Sequence, residues 1–144
     1  MKTIKVYFGC ALTHAPGSFQ KGIEQFKDRL RKIEGVEVLD FIGLVGGTST
    51  DVYKHDIHTC VQNGELIIGE CSYPSIGLGW ELGTAVEKHK KHVLAVAHTT
   101  SVVTRLVLGA ECELNENFSF ARYDDFEQLY EICLIKIQIL QNAA

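Results

Sequence analysis

The sequence predicts an α/β fold: a flavodoxin-like (Rossmann-like) three-layer sandwich around a five-stranded parallel sheet of order 2-1-3-4-5. Two observations predict the class. Short apolar runs rich in β-branched and aromatic residues alternate with segments of helical periodicity, the pattern of a parallel sheet covered on both faces. Five such runs fall within 144 residues, a length that suits one domain with a sizeable core and this strand order. A third observation concerns the ligand. The loops after the first and third runs leave the carboxyl ends of neighbouring strands, where open α/β sheets place their ligands.

Each element has its own signal. Residues 3–8, TIKVYF, read as the first strand, followed by the loop GCALTHAPG. In residues 18–35, Phe19, Ile23, Phe26, Leu30 and Ile33 recur at spacings of four and three, one face of an amphipathic helix that Gly35 closes. Residues 36–42, VEVLDFI, form the second strand. The loop GLVGGTST leads to a helix over 51–63, which Ser49 or Thr50 can cap and Gly64 can end. Residues 65–71, ELIIGEC, are the third strand; a glycine loop and a helix over 80–91 follow. The fourth strand is 93–97, VLAVA, then a short helix in TTSVVTRLVLGA ending near Gly109. The fifth strand spans 118–123, and a long apolar helix runs from Asp125 to about Leu140. There is no internal repeat, linker or low-complexity tract.

Composition narrows the function. Of the residues, 46% are hydrophobic and 22% charged, with net charge −4 and a pI near 5.8. No basic stripe marks a nucleic-acid surface; the cluster Lys88, His89, Lys90, Lys91 and His92 reads as the solvated end of a helix, where cations suit the dipole. No run approaches the roughly 20 apolar residues of a membrane span, and the start reads as a strand rather than a signal peptide. Five scattered cysteines without a CxxC pair suit buried thiols in a reducing cytoplasm better than disulfides or zinc.

The stretch PSIGLGWELG, residues 74–83, carries the chemistry. Gly77, Gly79 and Gly83 give G-x-G-x-x-x-G, which misses the dinucleotide fingerprint by one residue and follows the third strand rather than the first; it also lacks the GK[ST] of a P-loop. The glycines still permit close backbone approach. Ser75 and the Gly77 amide can hold a small anion or sugar hydroxyl at a helix start. Glu81 then stands beside that anion. A carboxylate there can simply serve the helix dipole, or it can face a sugar ring and attack or stabilise an oxocarbenium-like anomeric carbon.

The segment ECSYPSIGLGWELGTAV resembles the active-site segment of the nucleoside 2-deoxyribosyltransferase superfamily, and in particular its 2'-deoxynucleoside 5'-monophosphate N-glycosidase (N-hydrolase) branch. KVYFGCAL, VYKHDIHTCVQNGELIIGEC, SVVTRLVLGAE and FSFARYDDFEQLYE extend the resemblance over most of the chain, though only the PSxGxGxELG block is specific. The resemblance implies one such domain over residues 1–144, and N-glycosidic cleavage with Glu81 as nucleophile and Asp56 as second acid. It implies a substrate site built from Tyr7, Gly9, Cys10, Ala11, Leu12, Thr13, Ser75, Gly77 and Gly79, with Thr104 supplied by a neighbouring subunit of a homodimer or larger homo-oligomer. A small-molecule nucleoside or nucleotide is the implied partner, with no cofactor and no metal.

Two departures stand out. Thr13, followed by His14, occupies the position of an arginine in the phosphate-binding members, which puts monophosphate specificity in question. Asp56 to Glu81 spans 81 − 56 = 25 positions, one more than the family's spacing; an added residue turns an α-helical face by about 100°. Other candidates compete. Tyr7, Tyr53, Tyr73 and Trp80 are candidates to stack on a base. His55 and His58, with Asp51, suggest a metal, but no third strong ligand with matching spacing appears, and Cys10 has only His14 to activate it. The alternatives to a hydrolase are a transferase that moves the sugar between bases and a non-catalytic nucleotide-binding module.

Overall fold

Five strands hydrogen-bond in parallel in the order β2-β1-β3-β4-β5: β1 (Ile4–Cys10), β2 (Val36–Leu39), β3 (Leu66–Glu70), β4 (His92–His98) and β5 (Phe118–Tyr123). This computed structural model, which describes residues 1–42 and 46–143, has the sheet order expected from the sequence. Residues 43–45, the start of the expected GLVGGTST loop, lie outside the described residues.

Strand alternation sorts the core into two layers. Val6, Phe8, Leu66, Ile68, Leu94 and Val96 face the helices α1 (Gly17–Arg31) and α5 (Phe126–Gln141), where Ile23, Phe26, Leu30, Leu129, Cys133 and Ile137 meet them. Tyr7, Ile67, Val93 and Ala95 face the other way, onto Ile57, Cys60 and Val61 in the π-helical turns (Lys54–Val61) that continue α2 (Ser49–Tyr53), and onto Leu78 and Leu82 of α3 (Ile76–Gly83) with Ala85 and Val86 of its π-helical continuation (Thr84–Lys88). Burying each such large aliphatic side chain contributes about 1.5–3 kcal/mol before entropy is counted. Helix α4 (Arg105–Glu113) packs on the same side through Val107 and Ala110.

Several boundaries differ from the sequence expectation, each for a physical reason. Strand β1 runs on through Gly9 and Cys10, because Gly9 pairs in register with Gly69 and Cys10 with Glu70. Thr48, not Ser49 or Thr50, caps α2 (Ser49–Tyr53): its Oγ1 accepts from Asp51 N–H at 3.1 Å while Asp51 accepts from Thr48 N–H at 3.0 Å, a reciprocal capping box. The helix then widens into π-helical turns over Lys54–Val61. Helix α3 begins at Ile76 rather than Trp80 and widens in the same way over Thr84–Lys88. Helix α4 starts later than expected, at Arg105, with Thr104 as its cap accepting from Leu106 N–H.

The paired strand glycines set the height of α3. A Cβ at Gly69 would lie 2.7 Å from Leu82 Cδ2, and one at Gly9 would lie 3.1 Å from Leu78 Cδ1 and 3.3 Å from Glu81 Oε1. Their bare backbone forms a trough across β1 and β3 into which α3 settles. Beyond the trough, the fully buried Glu70 accepts from Ser72 N–H at 2.6 Å, from Ser72 Oγ at 2.8 Å and from the Tyr123 hydroxyl. Ser72 Oγ in turn accepts from His98 N–H at 2.8 Å. This network ties the carboxyl ends of β3, β4 and β5 together. Glu70 does not line the cavity described next.

Candidate active site

The expected glycine loop is mostly helix. Ser75 caps α3, its Oγ accepting from Leu78 N–H at 3.1 Å, and Gly79 N–H already bonds to Ser75 C=O at 3.2 Å. That leaves the first-turn amides of Ile76 and Gly77 without intrahelical partners, as at every helix start. A Cβ at Gly77 or Gly79 would meet no atom within 4 Å, so neither glycine is required by crowding within the chain. Gly77 lines the cavity; Gly79 does not.

Because α3 starts at Ile76, Glu81 falls in its second turn. The first turn holds no acidic residue. The dipole and capping reading of Glu81 therefore loses its footing, since those effects fade within one turn. The side chain instead turns down over β1, where Oε2 accepts from the Tyr7 hydroxyl at 2.5 Å. Burial pushes the Glu81 pKa up to about 7; the Tyr7 hydrogen bond pulls it down and the negative charge of Asp56 raises it further. Tyr7 is 1% exposed, and burial together with Glu81 keeps its phenol protonated well above the usual range. Its ring meets Phe41 edge-on at 6.5 Å. Tyr7 is thus the hydrogen-bond donor to Glu81 rather than a platform for a base.

Glu81 opens onto a cavity of about 820 Å³ at the carboxyl ends of β1 and β3, within the range of small-molecule sites. Tyr7, Cys10, Leu12 and Thr13 line it from β1 and its loop, and Ser75, Gly77 and Glu81 from α3. Asp56 enters from the π-helical turns that continue α2. Burial raises its pKa, while the Ile42 N–H that donates to Oδ1 at 3.2 Å and the nearby His55 lower it. The one-residue excess between Asp56 and Glu81 does not turn Asp56 away, because a π turn carries an added residue in a wider loop of helix.

Gly9 and Ala11 do not line the cavity: Ala11 is buried, and Gly9 acts from beneath by giving Glu81 room. Thr104, expected from a neighbouring subunit, does not line the cavity of its own chain, where its hydroxyl caps α4. Tyr73 packs edge-on against Phe19 at 4.8 Å, away from the cavity. Tyr53 and Trp80 stand at the rim, Trp80 being 60% exposed. Burial pushes the Cys10 thiol up to about 12, the wrong direction for a nucleophile. Phe41, Val52, Ile57, Ile76 and Leu78 complete the walls, and only their places in the fold, not any motif, bring them there.

Fold and site together define a class: a parallel α/β domain with a cavity past its central strands, floored by a carboxylate of raised pKa and walled by a second. Comparison with known proteins is more specific. No family model matches the chain. It is 29% identical over 117 residues to a protein of Syntrophotalea carbinolica named "Putative 2'-deoxynucleoside 5'-phosphate N-hydrolase 1", covering 80% of this chain and 72% of that one. Proteins of the same name from Thermofilum pendens and Methanococcoides burtonii are 28% identical over 87 residues and 37% over 62. These matches cover 60% and 43% of this chain, and 58% and 49% of the relatives. The CMP N-glycosidase BcmB of Clostridium botulinum shares the fold, with a TM-score of 0.70 at 17% identity over 92% of this chain and 98% of that one. The sequence relatives support the resemblance read from the sequence, to the N-hydrolase branch of the nucleoside 2-deoxyribosyltransferase superfamily, and the structural likeness shows the shared fold.

Proposed function

We propose that the chain is an enzyme that cleaves the N-glycosidic bond of 2'-deoxynucleosides or their 5'-monophosphates, with Glu81 as nucleophile. The observation that carries the reading is the Tyr7–Glu81 pair at 2.5 Å on the floor of a cavity that Asp56 also enters. The names of the sequence relatives support the bond and the substrate class. In the proposed step the Glu81 carboxylate bonds to the anomeric carbon as the bond to the base nitrogen breaks. Asp56, whose raised pKa suits an acid, gives its proton to the departing base. Water activated by Asp56 then opens the sugar ester, regenerating Glu81, and the sugar keeps its configuration. A second base in place of water makes the same site a transferase.

At the 5' end, the Ser75 hydroxyl keeps its proton free to donate, and the Ile76 and Gly77 amides point from a helix start that favours negative charge. His14 is the one cavity-lining residue, among those described, that can carry a positive charge. Thr104 joins such a site only from a second copy of the chain. Val102 and Leu106 flank it and are 96% and 82% exposed, apolar surface that a homo-oligomer would cover. Leu106→Lys is expected to leave a monomer in sedimentation; an unchanged sedimentation coefficient would remove this support.

The test is incubation with a panel of deoxy- and ribonucleosides and their 5'-monophosphates, with chromatography of released base. Glu81→Ala serves as control, and each reaction is run with and without an acceptor base. Base release that the variant loses supports the reading, and conversion of the acceptor separates transferase from hydrolase. Release that survives in Glu81→Ala refutes the nucleophile.

A further inference from the structure

We propose that His55, Asp56 and Cys60 form a binding site for a divalent ion of the zinc class, beside the cavity and sharing Asp56 with its wall. One ligand atom from each lies within 4.8 Å of the other two. Tetrahedral zinc with bonds of about 2.0–2.3 Å sets its ligand atoms roughly 3.5 Å apart. Closing on an ion therefore takes a shift of about 1 Å, which the half-buried His55 and Asp56 can make by side-chain rotation.

The π-helical turns create this grouping. In an α-helix, positions five apart face directions about 140° apart, which would keep His55 and Cys60 on different faces. The wider i→i+5 turn over Lys54–Val61 brings position i+5 back beneath position i, and Asp56 stands next to both. The spacing of these three residues matches no zinc motif, so the sequence does not single them out; the set it weighs and sets aside, His55, His58 and Asp51, is not assembled in the structure either.

The three groups are already oriented by the chain leaving β2. His55 Nε2 lies 2.6 Å from the Asp40 carbonyl, and Cys60 Sγ donates to the same carbonyl at 3.3 Å. A carbonyl only accepts, so the ring donates through Nε2 and keeps its lone pair on Nδ1. That is the arrangement of a metal-binding histidine, whose second nitrogen bonds to an outer carbonyl or carboxylate. Asp56 Oδ1 takes the Ile42 N–H, leaving its other oxygen for a ligand. Three protein ligands of nitrogen, oxygen and sulfur type suit zinc or cobalt rather than magnesium or calcium. Cys60 must give up its thiol proton on binding, so one proton is released and affinity rises with pH.

Asp56 belongs to both sites, so occupancy withdraws it from the sugar cavity and zinc inhibits base release; this consequence rests on the proposed function, whereas the binding itself does not. The test is titration of the folded chain with Co²⁺, read by near-ultraviolet and visible absorption, and with Zn²⁺ by calorimetry. One equivalent is expected, with a thiolate-to-cobalt band. Cys60→Ser is expected to lose the band, and His55→Gln to weaken zinc at least tenfold. Glu81→Gln is expected to bind zinc as the parent does, although it is inert as a glycosidase. Cys112 is the exposed thiol, so a band that persists in Cys60→Ser belongs there and overturns the site. Absence of binding by folded parent protein, or equal affinity in both ligand variants, overturns it as well.

Discussion

Replacing Tyr7 by phenylalanine removes one oxygen from the site and little else. The ring keeps its edge contact with Phe41 and its place in the core, while Glu81 loses the donor that sits 2.5 Å from Oε2. Tyr7 is neutral, so its hydrogen bond favours the ionised carboxylate over the acid. Hydrogen bonds to charged groups contribute about 1.5–3 kcal/mol, and about 1.4 kcal/mol moves a pKa by one, so the variant lifts Glu81 from about 7 to about 8 or 9. A nucleophile must be ionised, so the acid limb of kcat/KM, which reports the free enzyme, moves by the same amount. At pH 7 the ionised fraction falls from about one half to about one part in ten to one hundred, a loss of about 5- to 50-fold in kcat/KM. At pH 9 the two enzymes come within about twofold of each other on the same reasoning. The assay is base release across pH 5 to 10 for both proteins. An acid limb that stays in place, or a loss of equal size at every pH, refutes the assignment of Tyr7 as the group that holds Glu81 ionised.

Three further outcomes follow from the geometry. The raised pKa of Glu81 means that its contribution to stability is present below its ordinary carboxylate range, about 4.5, and is lost as pH rises through about 7. Glu81→Gln is therefore expected to be about 3 kcal/mol more stable than the parent at pH 8 and nearly equal at pH 4, checked by urea unfolding at both; equal stability at pH 8 refutes the buried-carboxylate account. Gly9→Ala puts a methyl group 3.3 Å from Glu81 Oε1 and 3.1 Å from Leu78 Cδ1. It is expected to cost about 1–3 kcal/mol in stability and to lower kcat more than KM, since it moves the carboxylate rather than the substrate's far end. Asp56→Asn is expected to slow first-turnover release of natural bases by about 10²–10⁴-fold, yet to recover most of that first-turnover rate on an analogue whose leaving group departs as a stable anion. Equal slowing on both would remove the acid role.

Much of the fold is legible in the sequence because the period of the apolar pattern decides it. Phe19, Ile23, Phe26, Leu30 and Ile33 form one stripe on a helix, and the short length and bounding turn residues of VLAVA and ELIIGEC suit a strand buried on both faces. What resists reading is set by tertiary pairing. Gly9 argues locally for a loop, yet the ladder to Gly69 makes it strand; the reason for both glycines is a helix that arrives from elsewhere in the chain. Ile76 to Gly79 read as a loop because two glycines outweigh local helix preference, whereas the Ser75 cap and the burial of Leu78 and Leu82 carry the helix back to Ile76.

The site shows the same division. Glu81 and Ser75 stand out through their spacing from a strand end. Tyr7 is visible only as an aromatic in a strand, since nothing local reveals that its hydroxyl meets a residue 74 positions away. Thr104 carries a cap's hydroxyl in the chain's own fold, and any second use requires another copy. The grouping of His55 with Cys60 depends on a widening of the helix that no periodicity announces.

The central claim is that Glu81 carries the sugar during the reaction. Rapid acid quenching of the enzyme with a deoxynucleoside 5'-monophosphate that it cleaves, followed by proteolysis and mass spectrometry, tests it most directly. The account predicts the deoxyribosyl phosphate as an ester on the peptide containing Glu81, absent in Glu81→Gln and lengthened in lifetime in Asp56→Asn. Sugar attached at another residue, or base release at the parent rate by Glu81→Gln, would contradict it.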